Sequence, residues 1–243
     1  MLLTSRTALI TGGAVRIGRA IARGLAGAGM KVIVHYNSSG DEARELVGSI
    51  RRAGGEAEAI GADLRDADEV ERLATEAIAC FGGVDVLVNN ASVFPPEAFY
   101  DVSETIWDET LAVNLKAPFF LTQHLAPLMR KRGGVVINMA DLAGIQTWKS
   151  YSAHSISKAA LLHFTRSAAR SLAPEIRVVA IAPGTVLPPE EFDAARINQL
   201  AATTPLKRNG TPDDVVQAVL YLLSADFVTG EVLVIDGGRS AGS

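Results

Sequence analysis

The residues that decide the fold are Thr11-Gly12-Gly13-Ala14-Val15-Arg16-Ile17-Gly18. They follow the first apolar run of the chain, TALIT at 7–11, and lead into a helical segment at about 17–29. A backbone without side chains can approach a pyrophosphate closely, and the first turn of a helix offers free N–H groups and a partial positive charge. A glycine-rich turn alone could be no more than a tight strand-to-helix connection. Its position, closing the first strand and opening the first helix, makes it a dinucleotide phosphate loop.

The same alternation continues outward from this loop. Apolar runs recur at KVIVHY (31–36), EAEAIGA (56–62), VDVLVN (84–89), GVVINM (134–139), IRVVAIA (176–182) and EVLVID (231–236). Most lack polar alternation, as strands buried on both faces of a parallel sheet do. Helix-period segments lie between them at about 40–53, 66–81, 103–131, 151–173 and 212–224. Strand–helix repetition of this kind builds right-handed βαβ units. The chain of 243 residues is therefore expected to be a single α/β Rossmann domain over 1–243. Its seven-stranded parallel sheet would be doubly wound, with helices on both faces. Ligands bind such sheets beyond the carboxyl ends of the strands, so function is read from the residues after each strand.

The second strand runs into Val34-His35-Tyr36-Asn37-Ser38-Ser39. A site selective for NAD places an acid here against the ribose 2′-hydroxyl. His35, Tyr36, Asn37 and Ser38 carry no negative charge, and Arg16 lies in the glycine loop, so a 2′-phosphate is favoured and NADPH is the expected cofactor. Arg16 could instead be a solvated surface cation and His35 a plain strand-end residue. After the third run, Asp63 and Leu64 are candidates for the adenine, although Asp63 could equally cap the following helix.

The bulk properties exclude other classes. Net charge is −4 with 48% apolar residues, which gives no nucleic-acid footprint and a sizeable core. No apolar run approaches the ~18 residues of a membrane span, and the N-terminus does not read as a signal peptide. The single cysteine, Cys80, fits a reducing cytoplasm. His124 and His163 lack neighbours at ligand spacing, and there is no HExxH or CxxC, so no metal site is expected.

Further strand ends carry more specific signals: Asn89-Asn90-Ala91-Ser92, Asn114 within LAVNL, Ala182-Pro183-Gly184-Thr185, Phe227-Val228-Thr229-Gly230 and Ile235-Asp236-Gly237-Gly238. With the first loop, and over the whole length, these resemble the short-chain dehydrogenase/reductase family. The resemblance implies cofactor contacts from Gly12, Ile17, Gly18, Asn90, Ala91, Ser92, Pro183 and Gly184. It also implies that Lys158 holds the nicotinamide ribose, that Asn114 assists catalysis, and that the protein is a homotetramer built through the segments 103–131 and 151–173. In that family a Ser, a Tyr and a Lys do the chemistry, the Tyr lying thirteen residues after the Ser and four before the Lys. An adjacent ammonium makes the phenol a usable acid.

Here the helix reads YSAHSISK at 151–158. Lys158 is present, but His154 stands four residues before it and Asp141 thirteen residues before that. The aspartate, in Asn138-Met139-Ala140-Asp141, resembles the pteridine reductase and dihydromonapterin reductase branch. So do the Arg16-Ile17-Gly18 ending and Asn90-Ala91-Ser92-Val93-Phe94-Pro95. That resemblance implies a substrate site lined by Arg16, Ser92, Phe94, Asp141 and Tyr151, with Phe94 stacking on a flat heteroaromatic. Phe94 could otherwise be plain packing, and Asp141 a turn cap.

Three readings of His154 stay open at this level. It replaces the tyrosine as proton donor, as an imidazole can near neutrality; Lys158 one turn on opposes its charge unless Asp141 compensates. Alternatively Tyr151 serves, although it lies about 10 Å along the helix from Lys158. Or the chain binds cofactor with little or no turnover, since fold does not grant activity. The favoured function is an NADPH-dependent reductase of a dihydropterin or a related imine or carbonyl. The rival is a carbonyl reductase like the 3-oxoacyl-carrier-protein reductases. Two prolines in TVLPPEEF (185–192) suggest a substrate lid over about 185–204, with Trp148 near its mouth.

Overall fold

The computed structural model describes residues 3–188 and 192–242. Seven strands form one parallel sheet: β1 (Thr7–Ile10), β2 (Lys31–Tyr36), β3 (Ala57–Gly61), β4 (Val86–Asn89), β5 (Gly134–Met139), β6 (Ile176–Pro183) and β7 (Val232–Ile235). Their order is β3-β2-β1-β4-β5-β6-β7, so the chain builds outward from β1 in one direction and then resumes on its other side with β4. The crevice between β1 and β4 is the point where a ligand is expected.

The apolar runs work because consecutive strand residues face opposite sides. Ala8, Ile10, Val32, Val34, Val86 and Val88 join one core with helices α1 (Arg16–Gly27), α2 (Gly40–Arg52) and α8 (Pro212–Ser224). Leu9, Ile33, Leu87 and Val136 join the other with α3 (Ala67–Phe81), α5 (Ala117–Arg132) and α6 (Ser152–Leu172). Strand ends differ by a residue or two from the sequence reading: β3 and β4 are shorter, and β6 continues to Pro183. Among the described residues no helix is long and apolar enough to cross a membrane.

Two features bear on the site. The segment read as one helix over 103–131 is α4 (Glu104–Leu111), a π-helical turn (Ala112–Lys116) and then α5. Pro118 lies in the first turn of α5 and has no N–H to return to the carbonyl one turn back, which loosens the ladder there. The widened turn buries Asn114. The lid region, where the sequence turns to helical period after its two prolines, contains the helix α7 (Ala194–Ala202), capped by Asp193 accepting from the Arg196 N–H at 2.7 Å. Residues 189–191 of the expected lid lie outside the described residues.

Candidate active site

The loops after β1 and β4 are tied together. Thr11 Oγ1 accepts from the N–H groups of Asn90 (2.9 Å) and Ala91 (3.0 Å), and Asn90 Nδ2 donates to the carbonyls of Thr11 (2.8 Å) and Gly12 (3.1 Å). Gly12 takes φ +59°, and a Cβ on Gly18 would fall 2.1 Å from the Gly12 carbonyl oxygen. Only glycine fits at Gly18, where the loop turns tightly against itself and against Asn90.

This loop borders a cleft of about 540 Å³. Gly12, Arg16, Ile17, Gly18, His35, Asn37, Ser38, Asp63, Leu64, Asn90, Ala91 and Ser92 all line it, together with Arg65 and Glu109. The residues expected to hold a dinucleotide are thus brought together, with two exceptions of role. Tyr36 does not line the cleft. As the neighbour of His35 on a strand it faces away, and its ring covers Gly40 and Gly61.

His35 lines the cleft but its ring is already committed. Burial lowers its pKa to about 4, so the ring is neutral; Nδ1 accepts from the Gly12 N–H at 3.1 Å. The hydrogen then sits on Nε2 and donates to the Ala62 carbonyl at 3.0 Å. His35 braces the glycine loop rather than offering a donor to a phosphate. Asp63 accepts from the Arg65 backbone N–H (3.0 Å) and guanidinium (2.6 Å); the cap of α3 is Asp66 instead. Arg65, the residue after Leu64, joins the cleft wall beyond the strand-end residues that the sequence pattern singles out. Arg16 is held at φ +51° with Nη2 donating to the Leu187 carbonyl at 2.6 Å, which joins the glycine loop to the base of the lid region.

A second cleft, of about 320 Å³, opens where the ends of β4, β5 and β6 meet. Ser92, Phe94, Asp141, His154, Lys158, Pro183 and Gly184 line it. Arg16 does not, contrary to the expectation that it reaches the substrate. Tyr151 does not line it either. Its ring stacks on Phe94 with centroids 4.3 Å apart and planes 1° from parallel, so one face of Phe94 is fixed from behind. Phe94 also meets His154 edge-on at 4.4 Å.

His154 and Asp141 form a close pair: Nε2 lies 2.6 Å from Oδ2. The other carboxylate oxygen accepts from the Ala143 N–H at 2.8 Å, so Asp141 caps a turn as well as facing the histidine. His154 Nδ1 lies 3.1 Å from the Val93 carbonyl. Nδ1 also lies 3.4 Å from Asn114 Nδ2, so it meets both a carbonyl and an amide donor while Nε2 meets the carboxylate. Burial pushes the Asp141 carboxyl upward, but the hydrogen bond from His154 and the charges of Lys158 and His154 outweigh it and hold it below the usual carboxylate range.

Lys158 is buried and Nζ donates to the Met139 carbonyl at 2.8 Å. Burial lowers its pKa, against the pull of Asp141. Asn114 lies behind the cleft, not in its wall. Its Nδ2 donates to the Val93 carbonyl and to Ser157 Oγ, both at 3.0 Å, and its Oδ1 accepts from the Val93 N–H at 2.9 Å. It fixes the carbonyl that faces His154. Among the described residues no group of three or more His, Cys, Asp or Glu could hold a metal.

A nucleotide-phosphate cleft running into a cleft with a buried acid–base pair and lysine, on a doubly wound parallel sheet, defines a dinucleotide enzyme site of the short-chain type. The family model described as enoyl-(acyl carrier protein) reductase matches residues 13–240, and the chain belongs to the short-chain dehydrogenase/reductase family. It is 36% identical to an L-rhamnose 1-dehydrogenase (NAD(P)(+)) of Azotobacter vinelandii over 98% of each chain. It is 35% identical to the 3-oxoacyl-[acyl-carrier-protein] reductase FabG of Staphylococcus epidermidis over 96% of this chain and 98% of that one. Among solved structures, FolM alternative dihydrofolate reductase 1 from Brucella canis, complexed with NADP, superposes with a TM-score of 0.93. It is 34% identical, covering 98% of this chain and 95% of the other.

Proposed function

We propose that the protein is an NADPH-dependent reductase of a flat C=N heteroaromatic, a dihydropterin, in which His154 delivers the proton. The observation that carries this reading is the His154–Asp141 pair, 2.6 Å apart, in the wall of the same cleft as Phe94. The dinucleotide fits the first cleft because Gly12 and Gly18 let the loops after β1 and β4 close on one another and form its wall. Gly12, Ile17 and Gly18 would border its phosphates, Asn90 and Ala91 the stretch beyond them, and Pro183 and Gly184 its nicotinamide end. When bound it supplies a hydride. Arg16 would meet the 2′-phosphate, Arg65 being held by Asp63 and Glu109. The kinship to FolM alternative dihydrofolate reductase 1, complexed with NADP, supports the substrate class and the cofactor.

The chain's own residues do the rest. Phe94, backed by Tyr151, orients a planar ring. The Nε2 proton of His154 passes through Asp141 Oδ2, the partly exposed member of the pair, to the ring nitrogen as the adjacent carbon gains hydride, so C=N becomes CH–NH. Asp141 also positions the imidazole. Lys158 keeps a positive charge beneath the site. Reprotonation of His154 from solvent completes the cycle. Purified protein is expected to oxidise NADPH in the presence of dihydrobiopterin or dihydromonapterin. Turnover only with a 3-oxoacyl thioester would move the substrate to carbonyls, and tight NADPH binding without turnover of any of them would reduce the protein to a cofactor-binding one.

Two further outcomes follow from the first cleft. Arg16→Ala is expected to raise the KM for NADPH by about tenfold while leaving that for NADH nearly unchanged, because only the 2′-phosphate needs the guanidinium; equal effects on both cofactors would remove Arg16 from phosphate recognition. Gly18→Ala forces the Gly12 carbonyl and the Asn90 amide apart. NADPH affinity, followed by fluorescence titration, should fall at least about tenfold, the ~1–3 kcal/mol that overpacking costs.

The reading also carries a homotetramer in the cytoplasm, with residues 185–204 closing as a lid. Exposed Phe119, Phe120 and Ile156 on α5 and α6, and exposed Tyr221 and Phe227 beside β7, leave apolar surface on two sides. Sedimentation equilibrium tests the assembly.

A further inference from the structure

We propose that Arg239 is the specificity determinant of the second cleft and receives an anionic group of the substrate, a carboxylate or a phosphate. The inference rests on the reductase reading of that cleft and adds the chemical class of the substituent.

After β7 the chain reads Asp236-Gly237-Gly238-Arg239-Ser240. Asp236 folds this stretch back on itself: its carboxylate accepts from the N–H groups of Gly238 (2.8 Å) and Ser240 (2.6 Å). Gly237 and Gly238 take φ +66° and +83°, which a residue with a Cβ adopts only under strain. The turn abuts the loop after β6, where a Cβ on Gly184 would lie 2.8 Å from that of Asp236. It thereby places Arg239 in the wall of the second cleft, with Phe94, Trp148, Asp141, His154 and Lys158.

Arg239 is half-buried, and its one side-chain hydrogen bond among the described residues runs from Nη1 to Thr185 Oγ1 at 3.1 Å. No carboxylate of the described residues lies within ion-pair distance of it, unlike Arg65 or Arg208. Among the described residues Asp141 is the one acid of this cleft wall, and both its oxygens are engaged, with His154 and the Ala143 N–H. Lys158 is turned to the Met139 carbonyl. Among the described residues, then, the cleft holds a planar guanidinium with donors to spare, at a wall that also presents aromatic surface. Such a fork matches a carboxylate or phosphate two-pronged. A ring reduced at His154 with an anionic arm toward Arg239 satisfies both ends at once, and a neutral ring of the same size satisfies only one.

The test uses the full chain saturated with NADP+, and reads quenching of tryptophan fluorescence on titration with folate (carboxylates), a pterin phosphate, and biopterin (neutral). Arg239→Met is expected to weaken folate and pterin phosphate at least about tenfold, leave biopterin within about twofold, and leave the NADP+ affinity unchanged; Arg239→Lys should recover part of the loss. A carboxylate effect without a phosphate effect, or the reverse, assigns the source of the anion. Equal loss for all three pterins, weakened NADP+, or no binding of any anionic ligand to the unaltered protein overturns the proposal. Kinetics with a 2-oxo acid and its methyl ester separate the two readings. A preference for the acid that Arg239→Met abolishes, with no dihydropterin turned over, keeps Arg239 and removes the pterin. Turnover of dihydrobiopterin and dihydrofolate alike, untouched by Arg239→Met, keeps the pterin and removes Arg239.

Discussion

His154→Phe is expected to lower the turnover number by about 10²–10⁴, the range a positioned general acid contributes. Phenylalanine keeps the ring's edge-on contact with Phe94 and removes only the two nitrogens. NADPH affinity should therefore change little, and the loss should fall on kcat rather than on binding. Full activity in this variant would mean that Asp141 with a water delivers the proton. The pH dependence gives a second handle. Asp141 is held below the usual carboxylate range, so it stays ionised and accepts from His154 Nε2 through the mildly acidic region. Activity is therefore lost on the acid side only as pH falls below that range. Burial lowers the Lys158 pKa, so the alkaline loss comes earlier than an ordinary lysine would place it. His154→Tyr should leave that alkaline limb in place; a limb that moves would not belong to Lys158.

The fold was legible because its signals are local and repeated. Each buried run of valine and isoleucine makes a strand, and the alternation that looked absent was a division between two cores, with Leu9 facing one and Ala8 and Ile10 the other. The glycine loop was legible for the same reason: Gly12 and Gly18 are required by sterics that act within a few residues and one neighbouring loop. Side-chain roles were less so. His35 looked like a phosphate donor because a sequence shows that a nitrogen is present, not that Gly12 and Ala62 have taken both. Tyr151 looked like a ligand contact, and packing turned it into the support for Phe94. The spacing of Asp141 and His154 placed them opposite one another only by resemblance; the 2.6 Å contact needs the register of β5 against α6, which no local pattern contains. The π-helical turn at Asn114 was concealed within a run of ordinary helix formers, and the one clue was Pro118. Arg239, in the last residues of the chain, reaches the site only because β7 lies beside β6.

The second large effect concerns stability at the opposite end of β4. Asp85 has a fully buried side chain and receives Arg6 Nη1 at 2.7 Å, Arg132 Nε and Nη2 at 2.8 and 3.1 Å, and the Thr7 N–H at 2.9 Å. It joins the start of β1 to the end of α5. Burial raises its carboxyl, and the hydrogen bonds from Arg132, Thr7 and Arg6 outweigh this and hold it below its usual range. Asp85→Ala leaves two guanidinium groups and a backbone N–H without their acceptor. The expected cost is about 3–5 kcal/mol, the range for breaking a buried pair, or a melting temperature lower by on the order of 10 °C. Asp85→Asn keeps one acceptor and should cost less. A carboxyl with a depressed folded pKa contributes stability that is complete above its unfolded pKa, near 3.9, and is lost as pH falls through the folded value. The gap between the wild type and Asp85→Asn should thus stay constant from neutrality to mildly acidic pH and close only below that. Because Asp85 precedes β4 while the site follows it, the kcat of the fraction that remains folded should not change. A gap that closed already near neutrality would show that the ionised carboxylate is not what joins these elements.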